Sequence, residues 1–63
     1  MINAKIIHRD SAKAVHWYKK VAKQGNPLAQ FVLGEMYARG DGVIQNLKKA
    51  YKWYKKAASK VIH

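Results

Sequence analysis

Four residues, WYKK, occur at positions 17–20 of this chain and again at 53–56. The match widens on alignment: Ala14, Trp17, Tyr18, Lys19, Lys20 and Ala22 recur as Ala50, Trp53, Tyr54, Lys55, Lys56 and Ala58, all at an offset of 36. Lys13 falls opposite Lys49, and Asp10 opposite Asn46. Asp and Asn are both good helix N-caps, because a short side-chain oxygen can accept from the free amides of the first turn. The duplicated unit thus carries its own start signal. A repeated unit presents an apolar face that it cannot bury alone, and stacking on its neighbour buries it. The same residues recur because the same packing problem recurs.

After Asn46, residues Leu47, Ala50, Tyr51, Tyr54, Ala57, Ala58 and Val61 recur at steps of three and four, which places them on one helical face. Lys48, Lys49, Lys52, Lys55, Lys56 and Lys60 occupy the opposite arc. In the first copy Ser11, Ala14, Val15, Tyr18, Val21 and Ala22 form the inward stripe, while Lys13, His16, Lys19 and Lys20 point outward. Trp17 and Trp53 stand at the stripe borders, where each is expected to seal a seam between helices. Between the copies, QGNP reads as a helix stop followed by a helix start: Gly25 takes the left-handed conformation, Asn26 caps and Pro27 opens the next helix. That middle helix, with an expected inward stripe of Ala29, Val32, Leu33 and Met36, runs to Arg39 before Gly40, Asp41 and Gly42 break it. Three helices are predicted, at about 10–24, 27–39 and 46–61. Gly34 lies inside the middle one, where glycine costs about 1 kcal/mol relative to alanine, and it predicts a close backbone approach by a neighbour.

The fold class is therefore all-α, three antiparallel helices in a short α/α solenoid. With 63 residues the chain makes one domain over 1–63. A domain of that size buries only about 60% of the surface its unfolded chain exposes. It contains no cysteine to staple it. The opening MINAKIIHRD has only Ile6 and Ile7 as an apolar stretch, and no run approaches the roughly 18 apolar residues needed to span a bilayer. The expectation is a cytoplasmic protein with no membrane attachment. Thirteen Lys and Arg against three acidic residues give a formal charge of +10. Such a field favours nucleic acid, anionic lipid or an acidic protein surface as partner. Eleven of the 13 basic residues are lysine, which lacks the planar fork that reads phosphates and guanines. That leans away from sequence-specific nucleic-acid readout.

A period of 36 is close to the roughly 34 of the tetratricopeptide repeat. Ala29, Leu33, Gly34, Tyr37, Gly40, Gly42, Val43, Ala50, Trp53, Tyr54, Lys56, Ala57 and Ala58 fit a closer relative. In that pattern and register the chain resembles the Sel1-like repeat family, a tetratricopeptide-like α-solenoid. The resemblance assigns 27–61 to one full repeat and 10–25 to the second helix of a preceding partial one. Asn46 stands where the family usually has Asp, and Val21 where the KAA motif has its first alanine. On this alignment the chain starts in mid-repeat, so apolar surface is expected at both ends of the stack. Either copies pair there, giving a homo-oligomer, or another protein completes the core. The resemblance implies a protein-binding scaffold rather than a catalyst.

The residues themselves point the same way. Asp10, Glu35 and Asp41 are the only carboxylates, and each has an ordinary place: a helix cap, an exposed helix face and a glycine turn. General acid–base work needs paired groups within reach of one substrate. Ser11 and Ser59 have no histidine placed to activate them. His8, His16 and His63 lack the four-residue helical spacing that lets two imidazoles meet one zinc. No enzyme activity, cofactor or metal is expected. Six of the seven aromatics fit positions of the repeat pattern or of the core stripes; Phe31 is the exception, free to contact the first helix or a partner.

The function expected from the sequence is a non-enzymatic protein–protein interaction module, an adaptor or a small inhibitor-like binder. Lys48, Lys49, Lys52, Lys55 and Lys56 are the candidates for electrostatic capture of an acidic partner. Gln30, Phe31, Glu35 and Arg39 on the middle helix are the candidates for docking. The alternative is a basic nucleic-acid-binding protein.

Overall fold

A computed structural model of the chain describes residues 11–61. It contains three helices, α1 (Ser11–Lys23), α2 (Pro27–Arg39) and α3 (Leu47–Val61). The expected cap at Asp10 and the histidines at 8 and 63 lie outside the described residues.

Local chemistry explains each boundary. Gly25 at φ +99° closes α1: its N–H donates to the Ala22 carbonyl at 3.0 Å and the Asn26 N–H to the Val21 carbonyl at 3.5 Å. This is the paired bonding of a Schellman cap, which satisfies carbonyls the helix cannot reach itself. Asn26 then caps α2, its Oδ1 accepting from the Ala29 N–H at 3.1 Å, with Pro27 in the first turn where no N–H is needed. Gly40, also left-handed, ends α2, and the returning chain finishes the job. Gln45 Nε2 donates to the Ala38 carbonyl at 2.9 Å and the Asn46 N–H to the Tyr37 carbonyl at 3.0 Å. The Oδ1 of Asn46 accepts from the Lys49 N–H at 3.0 Å, so one residue ties down the end of α2 and the start of α3.

The helices form a single layered stack. α2 lies in the middle and packs against α1 on one side and α3 on the other, while α1 and α3 do not pack on each other. The core consists of Val15, Ala22, Ala29, Leu33, Tyr37 and Ala50, with Leu33 wholly enclosed. Tyr18, Val21, Met36, Val43, Trp53 and Tyr54 pack around it, half-buried. At a core of this kind a Leu→Ala truncation costs about 2–5 kcal/mol.

The middle position of α2 corrects two sequence expectations. Its buried residues are Ala29, Gln30, Leu33, Gly34 and Tyr37, not a single stripe of Ala29, Val32, Leu33 and Met36. A helix with neighbours on both sides buries two flanks, so polar Gln30 and small Gly34 go inside while Val32 and Met36 are half-buried. On α3 the covered arc is Ala50, Trp53, Tyr54 and Ala57, and Leu47 and Tyr51 are each 65% exposed. That helix has one neighbour among the described residues, which meets it along an arc rotated toward Trp53 from the expected stripe. The two tryptophans also differ. Trp53 packs against the core, whereas Trp17 is 59% exposed and makes a T-shaped contact with Tyr18, at 5.3 Å between centroids.

Candidate interaction surface

The cationic arc of α3 follows from its spacing. Lys48, Lys49, Lys52, Lys55 and Lys56 are all exposed. Three are held over aromatic rings, each Nζ 5.4 Å from a centroid: Lys49 over Tyr37, Lys55 over Tyr51 and Lys56 over Trp53. At exposed sites such cation–π contacts contribute about 0.5–1 kcal/mol. They also divide the arc. Lys49 and Lys56 border the Trp53 side, and Lys55 borders the opposite flank with Tyr51.

No carboxylate among the described residues neutralises this face. Glu35 forms an i,i+4 ion pair with Arg39 at 3.6 Å, and Asp41 Oδ1 accepts from Ser11 Oγ at 2.6 Å. Both acids are engaged away from the α3 lysines.

The docking candidates on α2 separate into two groups. Phe31, Glu35 and Arg39 follow one another at four-residue steps along one edge, with Phe31 and Arg39 exposed and Glu35 half-buried. Gln30 is placed otherwise: it is 4% exposed, and its Nε2 donates to the Ala22 carbonyl at 3.0 Å. Its amide bridges α2 to the C-terminal turn of α1, so it is a packing residue between helices rather than part of the outer edge.

Phe31 is not isolated. Its ring lies against Tyr54, 5.4 Å between centroids at 45°. Tyr54 and Tyr51 are neighbours on α3 at an i,i+3 spacing. Phe31, Tyr54, Tyr51 and Leu47 thus make a continuous apolar strip along the α2–α3 edge, bordered by Lys55. Sequence reasoning placed Leu47 and Tyr51 in the core and missed this strip. The duplication contained the signal: Val15 and Ala22 are buried beneath α2, whereas their counterparts 36 positions on, Tyr51 and Ala58, are exposed. The described residues supply no helix that covers α3 as α2 covers α1.

Among the described residues no three His, Cys, Asp or Glu side chains come together in a way that could hold a metal ion. No helix among them is long and apolar enough to cross a membrane.

The chain matches the profile of the Sel1 repeat over residues 7–26 and 27–60. It is similar to the chitin synthase regulator SKT5 of Saccharomyces cerevisiae, 44% identical over 50 residues, covering 79% of this chain and 7% of that protein. It is 47% identical over 36 residues to the ERAD-associated E3 ubiquitin-protein ligase component HRD3A of Arabidopsis thaliana, covering 57% of this chain and 5% of that one. Protein sel-1 homolog 2 of Homo sapiens is 41% identical over 49 residues, covering 78% of this chain and 7% of its own length. The chain therefore spans less than a tenth of each of these three relatives. No solved structure matches it.

Proposed function

The chain belongs to the Sel1-repeat family, whose repeats mediate contacts between proteins, and from that premise we propose that it is a non-enzymatic binding module for an acidic protein surface, acting in the cytoplasm as an adaptor or a small inhibitor-like binder. One observation supports this reading above the others: an exposed apolar strip of Phe31, Tyr51 and Leu47 lies directly beside lysines that no carboxylate among the described residues neutralises. Charge of one sign steers encounter and sets its rate, whereas desolvated aromatic side chains hold the complex once formed. In this reading Lys48, Lys49, Lys52, Lys55 and Lys56 capture, and Phe31, with Glu35 and Arg39 on the same edge, docks.

Two copies pairing through the strip would bring Lys48 and Lys55 of both together, so self-association is the weaker reading at low salt. Binding to nucleic acid is the rival class, and it draws on the same lysines without needing the strip. Capture from a nuclease-treated lysate with the wild-type chain and with Phe31→Ser and Tyr51→Ser variants separates them. One stoichiometric protein lost in both variants supports the proposal. Retention of short oligonucleotides near physiological salt, indifferent to both variants, would overturn it, since phosphate contacts alone carry such binding.

A further inference from the structure

α1 and α3 carry matching faces, and only one of the two is covered. On α1, Val15 and Ala22 are 6% and 1% exposed beneath α2, and the Ala22 carbonyl accepts from Gln30 Nε2 at 3.0 Å. Their counterparts at the repeat offset of 36 are Tyr51, 65% exposed, and Ala58, also exposed. The other face of α3, with Ala50, Trp53 and Ala57, is the one that meets α2. Helices of this kind therefore have two packing faces, and the duplication shows what belongs on the open one. It is a helix such as α2, which brings Ala29, Gln30, Leu33 and Gly34 inward.

The backbone groups along α3 are already bonded within the helix, so an extended strand finds nothing to pair with and recognition falls to side chains of an incoming helix. A second copy has no such helix to give. Its α2 is buried on two flanks, and its α1 and α3 would set Lys19, Lys20 or Lys55 against the lysines of the first copy. Charge distinguishes the open face further. Lys48 and Lys52 stand where α1 has Ala12 and His16, so the flank of α3 is more cationic than that of α1. Glu35 and Asp41 are engaged elsewhere, with Arg39 and Ser11.

We propose that the Leu47, Tyr51 and Ala58 face of α3 binds an α-helix of a partner protein. That helix sits as α2 sits on α1, with small residues over Ala58 and acidic residues along the Lys48 and Lys52 flank. This deepens the protein-binding reading, on which it rests, by fixing the partner's secondary structure, register and charge. Tyr51 and Leu47 supply the apolar area that holds the complex, and the lysines steer it.

The probe is a capped synthetic peptide with the sequence of residues 26–40, carrying Leu28→Glu and Phe31→Glu at two positions that are exposed on α2. It is titrated into the ¹⁵N-labelled full chain. Saturable backbone shifts at Leu47, Tyr51 and Ala58, with Val15 and Ala22 unmoved, are expected. The same peptide with Leu28→Gln, Phe31→Gln and Glu35→Gln should bind about ten-fold more weakly at low salt, and the two should converge as salt rises. Adding Gly34→Pro to the acidic peptide breaks its helix and should remove binding. Ala58→Leu in the chain, at an exposed site where folding is not at stake, enlarges the apolar surface but fills the seat. A loss of at least about ten-fold is expected from it.

Equal binding by the Gly34→Pro peptide, or unchanged or tighter binding by the Ala58→Leu chain, would overturn the proposal by showing an unspecific apolar patch. Shifts at Val15 and Ala22 would overturn it too, because the peptide would then be exchanging with α2. The same would follow if raising the concentration of the chain alone reproduced the shifts, or if phosphatidylserine vesicles held the Tyr51 face against the peptide. Capture of an acidic protein without binding of the peptide leaves the module reading standing and removes the helical seat. Binding of the peptide without capture of any protein does the reverse.

Discussion

Tyr54 fills the space that glycine leaves at position 34. A methyl group on Gly34 would stand 2.9 Å from both Cδ1 and Cε1 of the Tyr54 ring and 3.1 Å from the Ala50 carbonyl oxygen. The ring must move and the backbone of α3 must give, so the two helices cannot keep their separation. Overpacking of this kind costs about 1–3 kcal/mol, against about 1 kcal/mol gained from the better helix former.

Gly34→Ala is therefore expected to destabilise the domain by about 1 kcal/mol, the middle of the difference between those two terms, lowering the thermal midpoint by about 4–8 °C for a chain of this size. Circular dichroism melts check the midpoint. A double variant with Tyr54→Ala should recover part of the loss specific to Gly34, since the ring is what the methyl meets, and additive losses would show that the ring is not the obstacle.

Gly42 holds φ at +80°, and a Cβ there would lie 2.6 Å from the backbone carbon and oxygen of Ser11. Gly42→Ala is expected to loosen the docking of α1 on the loop, at a cost of about 1–3 kcal/mol. Hydrogen exchange should accelerate in α1 more than in α3. Uniform acceleration would show that the Ser11 contact is not the local tie.

Asn46 is the hinge between α2 and α3, and no acidic residue stands in the first turn of α3. Asn46→Ala should cost about 1 kcal/mol through the lost cap. Asn46→Asp keeps the acceptor and adds a negative charge at the positive end of a lysine-rich helix, which should stabilise by about 0.3–1 kcal/mol. Urea unfolding of the two variants gives both signs.

Lys48, Lys52 and Lys56 follow each other at four-residue steps, and like charges at that spacing oppose helix formation by about 0.2–0.5 kcal/mol per pair. Screening shortens their reach from about 30 Å in 0.01 M salt to about 10 Å in 0.1 M. The thermal midpoint is accordingly expected to rise with sodium chloride over that range, and less so for Lys52→Gln. A midpoint indifferent to salt would mean that the cation–π contacts already offset the repulsion.

The same repulsion governs self-association. Light scattering over a concentration series should show monomers at low salt, with any pairing through Leu47 and Tyr51 promoted by salt and abolished by Tyr51→Ser.

Much of this protein is written in short-range chemistry. Asn26 and Asn46 cap because their side chains reach amides three residues on, Gly25 and Gly40 end helices because a left-handed turn suits glycine, and Gly34 in mid-helix foretold the close approach of α3. Each cap and stop is set within a few residues of chain, so the sequence alone determined the three helices, the stops of α1 and α2, the starts of α2 and α3, and the duplicated unit, whereas the contact that Gly34 foretold is made with Tyr54 and Ala50 on another helix. Which flank each helix buries depends instead on how many neighbours it has. Only the tertiary structure placed α2 between two helices, drew Gln30 inside, left Trp17 exposed while Trp53 packs, and turned Leu47 and Tyr51 outward. Periodicity names the apolar positions of a helix, but the arc that leaves water is set by the direction from which another helix arrives.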